Sequence, residues 1–179
     1  MQVLLRISRA IDAVNQRFGA LSDWLIFVSI LISAGNATIR YLFDYSSNAL
    51  LEIQWYLFGG AVFLGASHTL RLNEHVRVDV VYARLSARGR IVVDMFGFIF
   101  FLLPVTIFLA WLCWPIFLNS FRIGEMSSNY GGLLVWPILL ALPVGFVLLT
   151  LQGLSELIKR IAALRGDVAL DTRYEPPLQ

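Results

Sequence analysis

Four long apolar stretches, approximately Leu21 to Phe43, Leu50 to Leu70, Met95 to Phe117 and Leu133 to Leu154, alternate with short polar segments along this 179-residue chain. Each is close to the roughly 20 residues that a helix needs to cross about 30 Å of hydrocarbon. A backbone in lipid must satisfy its own hydrogen bonds, and none of these runs alternates polar and apolar residues as barrel strands do. The expected fold is therefore an all-α membrane protein of four transmembrane helices, forming a single domain over residues 1–165. The first run is too long for a signal-peptide core and no convincing small-residue cleavage site follows it, so it reads as a retained anchor helix.

Between the runs the patterns change. Leu4, Ile7, Ile11, Val14 and Phe18 recur at steps of three and four, with Arg6, Arg9, Asp12, Gln16 and Arg17 elsewhere around the turn. That spacing predicts an amphipathic helix over about 3–18 lying along the membrane interface. In the 73–90 loop, His75 to Val81 alternates like a strand, while Val78, Val81, Tyr82 and Leu85 also fit one helical face. A short interfacial helix is the preferred reading, since a lone strand there has nothing to pair with. The tail 166–179, charged and carrying Pro176-Pro177, reads as disordered.

Composition removes other classes. A 58% hydrophobic and 15% charged chain does not suit a soluble domain of this size. The net charge is only +2, and its basic residues do not cluster beside base-stacking aromatics, so no nucleic-acid partner is expected. Their placement, however, sets an orientation. Arg6, Arg9 and Arg17 precede the first run; Arg71, Arg77, Arg84, Arg88 and Arg90 fall between the second and third; Lys159, Arg160, Arg165 and Arg173 follow the fourth. Only Arg40 and Arg122 lie on the other side, which places both termini and the middle loop in the cytoplasm. Trp24, Trp55, Tyr56 and Trp136 sit near run ends, where amphipathic rings favour the headgroup layer.

Little in the chain promises chemistry. Pumps and channels carry ionisable groups inside their spans, and these runs are almost empty of them. Arg40 closes the first span and is expected to snorkel outward or to pair with Glu52 or Asp44. Asn36, the most deeply placed polar side chain of that span, reads first as an interhelical hydrogen bond and second as a path contact. Glu52 and Gln54 open the second span, as a charge at a positive helix end or as a partner contact. A lone cysteine, Cys113, and two histidines, His68 and His75, do not supply a metal or haem site, so no cofactor or catalytic residue is expected. Pro104, Pro115 and Pro143 read as packing kinks, and Gly59, Gly60 and Gly65 as sites of close helix approach. The loop Asn119 to Trp136 is either a docking strip or a connector. A homodimeric exporter would need a buried acid between Asp23 and Asp44, and a quinone or haem subunit would need paired cysteines or several intramembrane histidines; the sequence has neither.

The stretch ALLEIQWYLFGGAVFLGASHTLRLNEHVRVDVVYARLS, from Ala49 to Ser86, resembles the small permease subunit of tripartite ATP-independent periplasmic (TRAP) transporters, and GEMSSNYGGLLVWPILLALPVGFVLLTLQGLSELIKR, from Gly124 to Arg160, is similar to the same family's last loop and span. Glu52, Gln54 and Trp55, then Asn73 to Asp79, carry the specific part of the likeness. The resemblance implies a bacterial inner-membrane subunit without cofactor, packed beside a large permease subunit and served by a periplasmic solute-binding protein. It also implies uptake of an organic acid driven by a sodium gradient. The candidate contacts to partner subunits or phospholipid are Arg40, Glu52, Gln54, Arg71, His75, Arg77, Asp79, Glu125, Ser127 and Trp136.

Overall fold

The computed structural model describes residues 1–45, 47–73 and 85–167. Its frame is four helices: α1 (Gln2–Phe43), α2 (Asn48–Leu72), α3 (Ala87–Ile123) and α4 (Trp136–Leu164). Each is long and apolar enough to span a membrane, and among the described residues the only strand-like pairing is one bridge between Met126 and Leu134. The all-α, four-span architecture expected from the sequence is the one observed. The expected 73–90 helix falls mostly on residues 74–84, and the expected disordered tail mostly on 168–179, both outside the described residues.

Local chemistry sets the helix ends. α1, α2 and α3 stop at Asp44, Asn73 and Gly124, each left-handed with φ of 51°, 62° and 61°. These are the residue types that tolerate such a cap. Ser86 opens α3 by accepting the Gly89 N–H at 3.2 Å, and Pro137 stands in the first turn of α4, where its missing N–H has no helical partner to lose. Inside α3, residues Phe98–Leu102 widen into a π turn in which the Leu103 N–H reaches the Phe98 carbonyl. Pro104 follows at once and cannot donate to the Phe100 carbonyl, so the wide turn and the proline coincide where the regular ladder must break.

α4 is the hub. It packs against the other three helices, α1 packs on α2, and α3 leans chiefly on α4. In its most apolar window α4 is 39% buried, against 11–17% for the others. Small residues allow the close crossings: a Cβ on Gly145 of α4 would lie 2.5 Å from the Phe63 carbonyl oxygen of α2, and Gly65 of α2 faces Ser22 of α1. Thr150 of α4 donates to Thr106 of α3 at 2.8 Å. Leu70, Phe98 and Leu157 form the apolar core at the end where α1 begins, here the arm end.

The same end holds the densest polar packing. The Ser8 and Ser155 hydroxyls bond at 2.7 Å, and the Asn15 Nδ2 donates to the Gln152 Oε1 at 2.7 Å. Gln152 Nε2 donates in turn to Asp12 at 3.0 Å and Glu156 at 3.1 Å, while Ser155 donates to Asp12 at 2.8 Å. Lys159 bridges Asp12 and Glu156 at 2.7 and 2.8 Å. Arg160 carries the network to α3, pairing with Glu156 at 2.5 Å and with Asp94 at 2.9 Å, its guanidinium 4.6 Å from the Phe98 ring centre.

The clamp also shows how the arm is joined to the span. The arm over 3–18 is not a separate helix: it continues unbroken into the span, and 42 residues at about 1.5 Å each make α1 roughly twice the hydrocarbon thickness. Ser8, Asn15 and part of Asp12 turn inward to α4, whereas Leu4, Ile7 and Val14 of the predicted apolar stripe face outward. The inward side chains find hydrogen-bond partners on α4, which leaves the apolar stripe on the opposite side of the arm.

Replacing Gln152 by leucine is expected to lower the stability of the detergent-solubilised protein by about 1–3 kcal/mol, since it strands the Asn15 amide and removes a donor from two carboxylates. The checks are thermal unfolding and tryptic cleavage at Arg6, Arg9 and Arg17, which should accelerate; an unchanged melting point and cleavage rate would contradict the clamp.

Candidate functional site

The residues singled out from sequence separate into two places. Arg40, Glu52, Gln54, Glu125, Ser127 and Trp136 gather at the end that carries the α1–α2 turn and the α3–α4 loop, here the loop end. Arg71 lies at the far end of α2, about 28 Å away along a helix rising 1.5 Å per residue. There its Nη2 meets the His68 ring at 3.4 Å, and that ring in turn covers Gly19 of α1. His75, Arg77 and Asp79 lie outside the described residues.

At the loop end the sequence from Gly124 to Val135 folds into a small hairpin. Ser127 N–H donates to the Leu133 carbonyl at 2.9 Å and Val135 N–H to the Glu125 carbonyl at 2.9 Å. Gly124 and Gly131 take φ of 61° and 68°, which the reversals require. The hairpin is latched to α2 from below. Buried Glu52 accepts the Leu133 N–H at 2.6 Å through one carboxylate oxygen and the Asn129 amide at 3.2 Å through the other. The Ser127 hydroxyl accepts the Asn129 N–H at 3.4 Å within the hairpin. Asn48 at the start of α2 adds a bond to the Tyr130 carbonyl at 3.3 Å. Trp136 closes the fold by meeting Phe121 edge-on at 5.3 Å.

The latch changes the reading of two residues. Arg40 was expected either to snorkel outward or to pair with Glu52 or Asp44; Glu52 is occupied by the loop, and among the described residues Arg40 is exposed and forms no ion pair, as the first alternative has it. Glu52 and Ser127 hold the hairpin rather than point outward. What the hairpin presents is Glu125, Met126 and Tyr130, the last 94% exposed. Asn129 and Leu133 were not found from sequence; their only signal was the Gly-bearing polar composition of the loop.

Between α1 and α2, beside the latch, runs an open groove of about 550 Å³ lined by Ser33, Asn36, Arg40, Asp44, Leu51 and Gln54 among others. Gln54 turns its amide to the Leu50 carbonyl at 2.9 Å. Asn36 was expected first to bond another helix and second to touch a transport path; the residue is 7% exposed and its side-chain oxygen has no partner. Elsewhere the surface of the spans carries large apolar side chains, with Phe27, Ile30 and Leu31 on α1 and Val105, Phe108, Trp111 and Trp114 on α3 exposed. Among the described residues no three His, Cys, Asp or Glu side chains come together as a metal site.

The chain is similar to one family: the family model described as "Tripartite ATP-independent periplasmic transporters, DctQ component" matches residues 29–163. The matched stretch includes the Glu52 latch, the groove and all of the hub helix up to Ala163. No curated protein and no solved structure matches the chain.

Glu52→Gln, which keeps the shape and loses the charge, is expected to loosen the hairpin while leaving the helices intact. Amide hydrogen exchange at Leu133, whose N–H Glu52 accepts, should rise at least several-fold, as a charge-assisted bond weakens to a neutral one. Unchanged protection there would show that the latch contributes nothing.

Proposed function

The chain belongs to the DctQ component family of tripartite ATP-independent periplasmic transporters, and from that premise we propose that it is the scaffold on which the large permease subunit of such a transporter sits. The family is a transporter component rather than an enzyme family, and the chain is a multi-pass membrane protein with four spanning helices. In the proposed role it resides in the bacterial inner membrane with both termini in the cytoplasm. The large permease binds and moves an organic acid with sodium, and a periplasmic binding protein delivers it.

One observation carries this reading. Among the described residues the polar side chains within the helices are spent largely on one another: the Asp12–Gln152–Glu156–Arg160 clamp at one end, the Glu52 latch at the other, and the Thr106–Thr150 bond between. Coupling solute to an ion needs buried charges facing a cavity, whereas this bundle turns its charges into struts. Its exterior is the opposite. α3 leans on α4 alone for most of its packing, so its other side offers Val105, Phe108, Trp111 and Trp114 to a neighbouring helix. Bulky rings on a fixed backbone supply van der Waals contact, the main force between helices in lipid. At the loop end the latched hairpin offers Glu125, Met126 and Tyr130 to the binding protein. At the arm end Arg6, Arg9, Arg17 and Arg71, with Arg77 and Arg84, would face anionic headgroups, each contributing on the order of 1 kcal/mol.

Tagged chain extracted in mild detergent is expected to bring down a large many-span permease in fixed ratio, and Trp111→Ala with Trp114→Ala to reduce that yield. Chain that purifies alone, with the permease active without it, would refute the scaffold. Orientation is read independently: a cysteine at Tyr130, in a Cys113→Ser background, should react with an impermeant maleimide from the periplasmic side of intact cells. Reaction only from the cytoplasmic side would reverse the placement.

A further inference from the structure

We propose that the α1–α2 groove at the loop end is a binding site for the headgroup of a zwitterionic phospholipid, a phosphoethanolamine lipid in particular. Two observations point to a ligand. Arg40 lines the groove and has no ion pair among the described residues, and a guanidinium at a membrane boundary without a counter-ion is a phosphate seeker. One turn deeper, the Asn36 carboxamide is more than nine-tenths buried, lines the same groove, and has no hydrogen-bond partner for its oxygen. A buried polar group left so is costly unless something completes it.

The order of the groups selects the ligand. Asn36 and Arg40 stand four residues apart on one stripe of α1 and Asp44 caps its end, all three lining the groove, so from the middle of the membrane outward the groove reads amide, cation, anion. A phosphoethanolamine lipid reads glycerol ester, phosphate, ammonium in the same direction. Arg40 takes the phosphate through paired N–H donors, Asp44 accepts from the ammonium, and the Asn36 amide, turned about its last bond, donates to an ester carbonyl. Ser33 and Gln54 are within the same lining to share the phosphate and ester oxygens. Below the groove both helices turn apolar residues outward, Ile26 and Ile30 on α1 and Phe58 and Val62 on α2, which gives the acyl chains a track. Trp55 and Tyr41, both well exposed beside the groove, are the residue types that settle at the headgroup level. Which leaflet supplies the lipid follows from the orientation proposed above; the binding itself does not depend on it.

Native mass spectrometry of the full-length chain released from detergent micelles tests the site. Phosphatidylethanolamine, phosphatidylcholine and phosphatidylglycerol are offered at equal concentration. The expected result is selective retention of phosphatidylethanolamine, because choline has no N–H for Asp44 and glycerol has no cation. Arg40→Gln should lower retention on the order of tenfold, the loss of a charge-assisted bond. Asp44→Asn, at an exposed helix end, should abolish the preference over phosphatidylcholine while keeping binding. Circular dichroism confirms that both variants are folded. Equal retention of all three lipids, or retention indifferent to Arg40→Gln, would overturn the proposal. So would displacement of the lipid by soluble glycerophosphoethanolamine at equal concentration, since the acyl chains would then contribute nothing. If the chain alone holds the lipid but its complex with the permease does not, the groove belongs to the partner polypeptide and the proposal fails, while the scaffold role stands.

Discussion

The bundle is braced by polar groups that pair from one helix to the next. In a soluble domain the apolar side chains converge and the polar ones disperse outward; in lipid the gain from burying a leucine disappears, and an unpartnered amide or carboxylate becomes the main penalty. The clamp between α1 and α4 is the consequence. Gln152 is fully enclosed and bonds to Asn15, Asp12 and Glu156, so one side chain joins the arm to the hub. Arg160 then joins the hub to α3 through Asp94 and the Phe98 ring. Removing a single member leaves a buried group without its mate, which costs more than the bond itself contributes.

The clamp and the latch divide the labour along the membrane normal. At the arm end the struts fix three helices relative to one another; at the loop end Glu52 fixes a twelve-residue hairpin onto α2. Between them the contacts are small-residue crossings such as Gly145 on Phe63, and the outer faces are left to large apolar rings. A part braced at both ends and bare on its sides suits a component whose work is to hold a neighbour. The groove beside the latch is the exception: among the described residues, a cation without an ion pair and a buried amide line it together.

Much of the fold was legible in the sequence because hydropathy over twenty residues is a direct statement about lipid. The helices of Leu50 to Leu70 and Met95 to Phe117 sit within α2 and α3 as observed, and the family likeness rested on residues inside the matched stretch, Ala49 to Ser86 and Gly124 to Arg160. The partners were not legible. Leu4, Ile7 and Val14 make a stripe on the arm, but periodicity does not reveal that Ser8, Asp12 and Asn15 on its other side bond to α4. Arg40 and Glu52 are near in sequence and opposite in charge, yet Glu52 is taken by Leu133 and Asn129, some eighty residues on, whose donors no local pattern reveals.

The central claim is that the chain supports transport and does not perform it. Proteoliposomes made with the purified chain alone, with an inward sodium gradient and a labelled organic acid outside, test this most directly. The account predicts no uptake above protein-free vesicles, and uptake only when the large permease and the binding protein are added. Sodium-dependent accumulation by the chain alone would contradict it.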